Sequence, residues 1–220
     1  MKMIEFQNVS KSFKNKYRVL SELNFSCMAG QTYFLFGNTG TGKSTVFNLI
    51  IKDIAPNMGK IEICGDDISQ FKPQQTTSYR LQLGIIWQSL FLIDQKTIFE
   101  NIAMPLELRG ESTEIVDEIL KDANLFSFRD LFPYNLTLAQ KQMTAICRAL
   151  VTIPKILIAD EPMNHLDTGC EGKAIELINK YKHPSATVLM ATSQQYIIEK
   201  FQGNENTNVL ILENGKILGA

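Results

Sequence analysis

The sequence predicts an α/β chain on a largely parallel sheet, with an antiparallel β portion and a helical insertion in its middle. Three observations carry this expectation. Short apolar runs, "QTYFLF", "KILIAD" and "ATVLMAT", have the length and residue types of buried strands. Amphipathic stretches separate them, as parallel neighbours require. Residues about 97 to 151 form one long region of helical apolar spacing.

In chain order, "IEFQNVS" and "LNFSCMA" read as antiparallel strands, and "QTYFLF" as a short buried strand ending at Gly37. A helix is expected to open near Lys43 and run through "STVFNLII". "GKIEICG" alternates apolar and polar residues, the pattern of a half-buried edge ribbon. The central helical region is expected to break at Pro105 and Pro133. "GCEGKAIELINKY" reads as a helix between two of the buried strands, and "NVLILENGKIL" as a closing hairpin. We expect one domain over 1–220: an α/β core with its β subdomain from 1–88 and 152–220, and a helical subdomain from 89–151.

Bulk properties narrow the function. The 220 residues are 45% hydrophobic and 20% charged, an ordinary globular balance. A formal net charge of −1 offers no general attraction to nucleic acid or an anionic membrane, so no nucleic-acid partner is expected. No apolar stretch approaches the roughly 20 residues that span a bilayer, and the opening "MKMIEFQNVSKSF" lacks the apolar core of a signal peptide. Cys27, Cys64, Cys147 and Cys170 form no CxxC pair, and His165 and His183 complete no zinc spacing. Small buried thiols in a reducing cytoplasm are expected.

The chemistry concentrates in "GNTGTGKST": Gly37, Asn38, Thr39, Gly40, Thr41, Gly42, Lys43, Ser44 and Thr45. This is GxxxxGK[ST] between a predicted strand and a predicted helix. Its glycines let successive backbone N–H groups face phosphate oxygens, and the helix dipole adds to that field. Lys43 would reach the β- and γ-phosphates of ATP, and the Ser44 hydroxyl would ligate Mg²⁺. A P-loop NTPase core is therefore expected.

Such a site needs an acid at the end of a second strand, and "KILIADE" supplies it. Asp160 would hold Mg²⁺ through water, and Glu161 would orient or deprotonate the attacking water as the catalytic group. Gln88, in "GIIWQ", is a third metal candidate, because a side-chain carbonyl at a strand end can complete the shell.

With these pieces in order, the chain resembles an ABC-type nucleotide-binding subunit along nearly its whole length. "IIWQ" looks like the family's Q-loop, "ADEP" its second phosphate motif and "MNHLD" its D-loop. Phe13 stands where the family places an aromatic against adenine; the alternative is a core residue behind a strand. "FLIDQKTIFENIAMPLELRG" is most similar to the cell-division FtsE branch, within a group that includes lipoprotein-release and macrolide-exporter ATPases. The resemblance implies two such chains clamping two ATP molecules head to tail. It also implies an integral membrane partner, FtsX-like or an ABC permease, on the cytoplasmic face of the inner membrane. Soluble relatives acting on nucleic acid carry tandem cassettes or long insertions, which are absent here.

Two motifs depart from the family. The signature LSGGQ is here "LTLAQ": Thr137 keeps the hydroxyl and a [ST]xxQ capping box with Gln140, but Leu138 and Ala139 replace glycines. Met143 replaces an arginine. Ser193 stands where the family has a histidine against the γ-phosphate. His183 lies upstream of the strand, and His165 falls in the D-loop stretch. The expected result is retained ATP binding with slow hydrolysis. The competing reading is an ATP-dependent scaffold or switch.

Overall fold

The computed structural model describes residues 1–13, 18–201 and 206–218. It divides into two compact units, Met1–Arg80 with Ser185–Ala220, and Leu81–Pro184.

In the first unit, β1 (Lys2–Ser12) and β2 (Arg18–Met28) pair antiparallel, with Phe6 stacked on Phe25 at 4.5 Å. β3 (Thr32–Phe36) leads through the glycine-rich loop into α1 (Lys43–Ile50). β4 (Met58–Ile63) pairs antiparallel with β1 on one side and with the two-residue β5 (Asp66–Asp67) on the other. The alternating "GKIEICG" ribbon is therefore an inner strand, and β5 takes the edge expected of it. α2 (Pro73–Leu81) follows.

The second unit opens with β6 (Leu83–Ile86) and continues through α3 (Ile98–Arg109), α4 (Ile115–Asp122) and α5 (Leu138–Leu150). β7 (Ile156–Asp160) runs parallel to β6, and α6 (Thr168–Tyr181) follows. α3 corrects one expectation: Pro105 lies inside a continuous helix. Buried Ile98, Ile102, Ala103 and Leu106 hold one face. A Thr97–Glu100 capping box fixes the start and Gly110 closes the end, which together outweigh the hydrogen bond that proline removes. Pro133 begins a 3₁₀ turn, Pro133–Asn135, as a break there requires.

The chain then returns to the first unit with β8 (Thr187–Thr192), α7 (Gln195–Phe201), β9 (Thr207–Glu213) and β10 (Lys216–Leu218). Here the sheet order is β10-β9-β3-β8, with β3 parallel to both β8 and β9. β8 is buried along its whole length, in keeping with the apolar run 188–191 between its two terminal threonines. The thiols divide: Cys27 and Cys147 are buried as expected, whereas Cys64 is exposed and Cys170 half-buried. Among the described residues no helix is long and apolar enough to cross a membrane.

Candidate functional site

The first unit carries the phosphate-type loop. β3 ends at Phe36, and α1 begins at Lys43 with Gly42 as its N-cap, at φ +106°. No side chain caps that helix and no acid stands in its first turn, so its dipole end is left for an anion. Asn38, Thr39, Gly40 and Ser44 are exposed, and nothing lies within 4 Å of where a Gly40 Cβ would stand. The donors are thus open to a phosphate chain. Lys43 is only 6% exposed, and its ammonium donates to the Gly37 carbonyl at 2.6 Å and the Asn38 carbonyl at 3.1 Å. The Thr41 hydroxyl also donates to the Asn38 carbonyl, at 2.9 Å. The loop is folded on itself around its own lysine.

Ser193 lies at the same end of the sheet. Phe36 and Thr192 are register partners, and the Gly37 N–H donates to the Thr192 carbonyl at 3.4 Å. The half-buried Ser193 therefore follows β8 as Gly37 follows β3. Phe13 is 47% exposed, with the Lys11 ammonium 5.3 Å from its ring centroid. It is not a core residue, so its ring is free to offer a face. Residues 14–17, which follow it, lie outside the described set.

The second unit carries the acids. Ile86 and Ala159 are partners in parallel β6 and β7, so Gln88 and Asp160–Glu161 leave the same carboxyl edge of that strand pair. Ligands in α/β sheets gather at such edges. Gln88 is exposed, Asp160 buried and Glu161 half-buried. Glu161 has φ +49° and His165 φ +67°, left-handed conformations that histidine tolerates better than glutamate does. Strain of this kind concentrates at functional turns.

α5 starts as its sequence predicts. The Thr137 hydroxyl accepts from the Gln140 N–H at 3.2 Å, and the Gln140 side chain accepts from the Thr137 N–H at 2.9 Å. Leu138, in the first turn, is 58% exposed.

The sequence reading missed three polar residues. Asn101, fully buried on α3, binds the backbone of Ile93, Lys96 and Thr97. Gln142 donates to the Pro162 carbonyl at 2.9 Å. Arg148 donates to the carbonyls of Leu90 at 2.6 Å and Phe91 at 2.7 Å, and burial pulls its guanidinium below its ordinary range. A charged residue on an otherwise buried helix face was the available signal.

No group of three or more His, Cys, Asp or Glu among the described residues could hold a metal ion by itself. Within the second unit, an amide at Gln88 and a carboxylate at Asp160 are the oxygen donors that leave the same strand edge. Such a set suits Mg²⁺, which takes one or two carboxylates and completes its shell with water and substrate phosphate.

A glycine-rich strand-to-helix loop on a parallel sheet, in a chain that also carries an antiparallel sheet and a helical region, defines a P-loop NTPase fold. The family model described as ABC transporter matches residues 20–164. The cell-division ATP-binding protein FtsE of Escherichia coli K12 is 32% identical over 99% of this chain and 98% of its own length. A methionine import ATP-binding protein of Pseudomonas entomophila is 34% identical over 98% of this chain, which spans 66% of that relative's length. The dimeric cassette MJ0796, solved in a post-hydrolysis state with ADP and Pi, superposes with a TM-score of 0.87 at 27% identity. That match covers 98% of this chain and 96% of the other. The chain belongs to the ABC transporter family.

Proposed function

We propose that this chain is the ATP-binding subunit of an FtsE-like complex that couples ATP binding and slow hydrolysis to an integral membrane protein. The observation that carries the reading is the intact loop at 37–45, uncapped at α1 and open at Gly40. Lys43 would leave its loop carbonyls to meet the β- and γ-phosphates, and the backbone N–H groups of 40–45 would cradle them. Phe13 would stack on the adenine. Ser44, Gln88 and Asp160 would hold Mg²⁺, which when bound offsets the charge of the phosphate oxygens. Glu161 would orient the attacking water and accept its proton.

Slow turnover follows from the two departures. Ser193 is too short to replace an imidazole contact without an intervening water, and losing one transition-state contact costs on the order of 10²–10³ in rate. The exposed Leu138 obstructs the approach of a phosphate to the α5 N-terminus. Because MJ0796 was solved as a dimer, a homodimer clamped on ATP is the assembly that fits. Its membrane partner, FtsX-like or a permease, would hold it at the cytoplasmic face of the inner membrane. Cell-division and methionine-import relatives match at similar identity, so support for the former rests on the "TIFENI" stretch.

A second reading, an ATP-dependent scaffold or switch without turnover, is favoured by the same Leu138 and Ser193. Titration with a fluorescent ATP analogue and Mg²⁺ tests the proposal: wild type binds and Lys43→Ala does not. Equal affinity of the two removes the site assignment.

A further inference from the structure

The loop that carries Gln88 is fastened by a side chain far along the chain. Arg148, near the end of α5, sends one N–H to the Leu90 carbonyl and another to the Phe91 carbonyl. Consecutive carbonyls point opposite ways in extended chain and the same way in helical or left-handed chain. Phe91 has φ +46°, which turns both carbonyls toward one guanidinium fork. The ring gains little burial in return, being 67% exposed. Among the described residues no carboxylate pairs with Arg148 at ion-pair distance. Its two hydrogen bonds to carbonyls satisfy this half-buried cation.

The far end of the same loop is fixed separately. Asn101 accepts from the Ile93 N–H at 2.8 Å and donates to the carbonyls of Ile93, Lys96 and Thr97. Between β6 and the Arg148 anchor only residues 87–89 are left to move. Gly84 sets α5 tight against that strand: a Cβ there would stand 2.6 Å from the Ala149 carbonyl oxygen. α5 also reaches the other strand-end loop, where Gln142 holds the Pro162 carbonyl just past Glu161.

We propose that Arg148 is a positioning residue that fixes Gln88 for Mg²⁺, with α5 as a common bracket for the loops following β6 and β7. The inference rests on the nucleotide-binding reading above. One helix, begun by Thr137 at the altered signature, then carries any displacement of the Gln88 loop along its length. A shift at either end is transmitted because an α-helix is stiff over about 15 Å, the rise of ten residues.

The test uses the whole chain with Arg148→Gln, Arg148→Lys, Gln88→Ala and the double Gln88→Ala/Arg148→Gln. Two quantities are read: amide hydrogen exchange, and binding of a fluorescent ATP analogue with Mg²⁺ and with EDTA. Arg148→Gln is expected to speed exchange at 88–92 and leave 37–45 unchanged. It should raise the Mg²⁺ concentration for half-maximal nucleotide retention by about 10-fold, the usual cost of losing a partner behind a metal ligand. Affinity in EDTA should stay within about twofold, since the loop at 37–45 is intact. Arg148→Lys, which can hold one carbonyl but not two, should fall between. The double variant should bind no worse than Gln88→Ala alone. Additive losses, unchanged exchange at 88–92, or an equal loss in EDTA overturn the proposal while leaving the nucleotide reading in place. A wild type that binds no nucleotide under either condition removes that reading and the proposal together.

Discussion

The Lys43 ammonium lies 2.6 Å from the carbonyl oxygen of Gly37, within the loop that both residues belong to. The charge proposed to meet a phosphate therefore donates to two loop carbonyls, and a nucleotide bound there would have to replace both contacts. Lys43→Arg tests the shape requirement. It keeps the charge, but a planar fork does not fit a pocket that leaves lysine 6% exposed. ATP affinity is expected to fall by at least about 10-fold, on the scale of one charge-assisted hydrogen bond. Fluorescent-nucleotide titration reads it, and an unchanged Kd counts against the role given to Lys43.

Glu161 and Ser193 separate enzyme from scaffold. Glu161→Gln is expected to lower the Mg²⁺-ATPase rate by roughly 10²–10⁴ while nucleotide affinity holds, because only the base is removed. Ser193→His is expected to raise the rate by roughly 10–100-fold, restoring one electrostatic contact. A wild type no faster than Glu161→Gln, measured with the membrane partner present, favours the scaffold.

Ile153 offers a stability test away from the site. It is β-branched, 44% exposed and left-handed at φ +46°, and it precedes Pro154. It holds that shape because its N–H closes the end of α5 on the Leu150 carbonyl at 2.8 Å. Asparagine tolerates this conformation, so Ile153→Asn is expected to stabilise by about 1 kcal/mol. Calorimetry should show the melting midpoint rising by roughly 2–4 °C.

The cluster joining α4 to α6 sets a pH dependence. Lys180 and the Tyr181 hydroxyl, the latter at 2.6 Å, both donate to Asp122 and hold its carboxyl below its ordinary value. A carboxylate with a lowered folded pKa stabilises above its unfolded pKa and loses that contribution as pH falls through the folded value. Asp122→Asn is therefore expected to melt below wild type at pH 7. The gap should close as pH falls below about 4, where the unfolded carboxyl begins to protonate. A gap that stays constant from pH 7 to pH 3 contradicts the role of the charge.

The sequence by itself determined what is written within about ten residues. The strand, glycine loop and helix from 31 to 51 stand where their spacing predicts, and the Thr137–Gln140 capping box forms as its pattern requires. Such features depend on consecutive backbone groups and one turn of periodicity, so spacing alone encodes them. Tertiary structure decided the rest. Pro105 is carried inside α3 by a buried apolar face, and β4 lies inside its sheet because the two-residue β5 takes the edge. Phe13 faces outward and Glu161 turns left-handed. Arg148 meets Phe91 across 57 positions of sequence. No local pattern specifies that contact; it exists because close packing of α5 on β6 leaves a half-buried cation with two carbonyls to satisfy it.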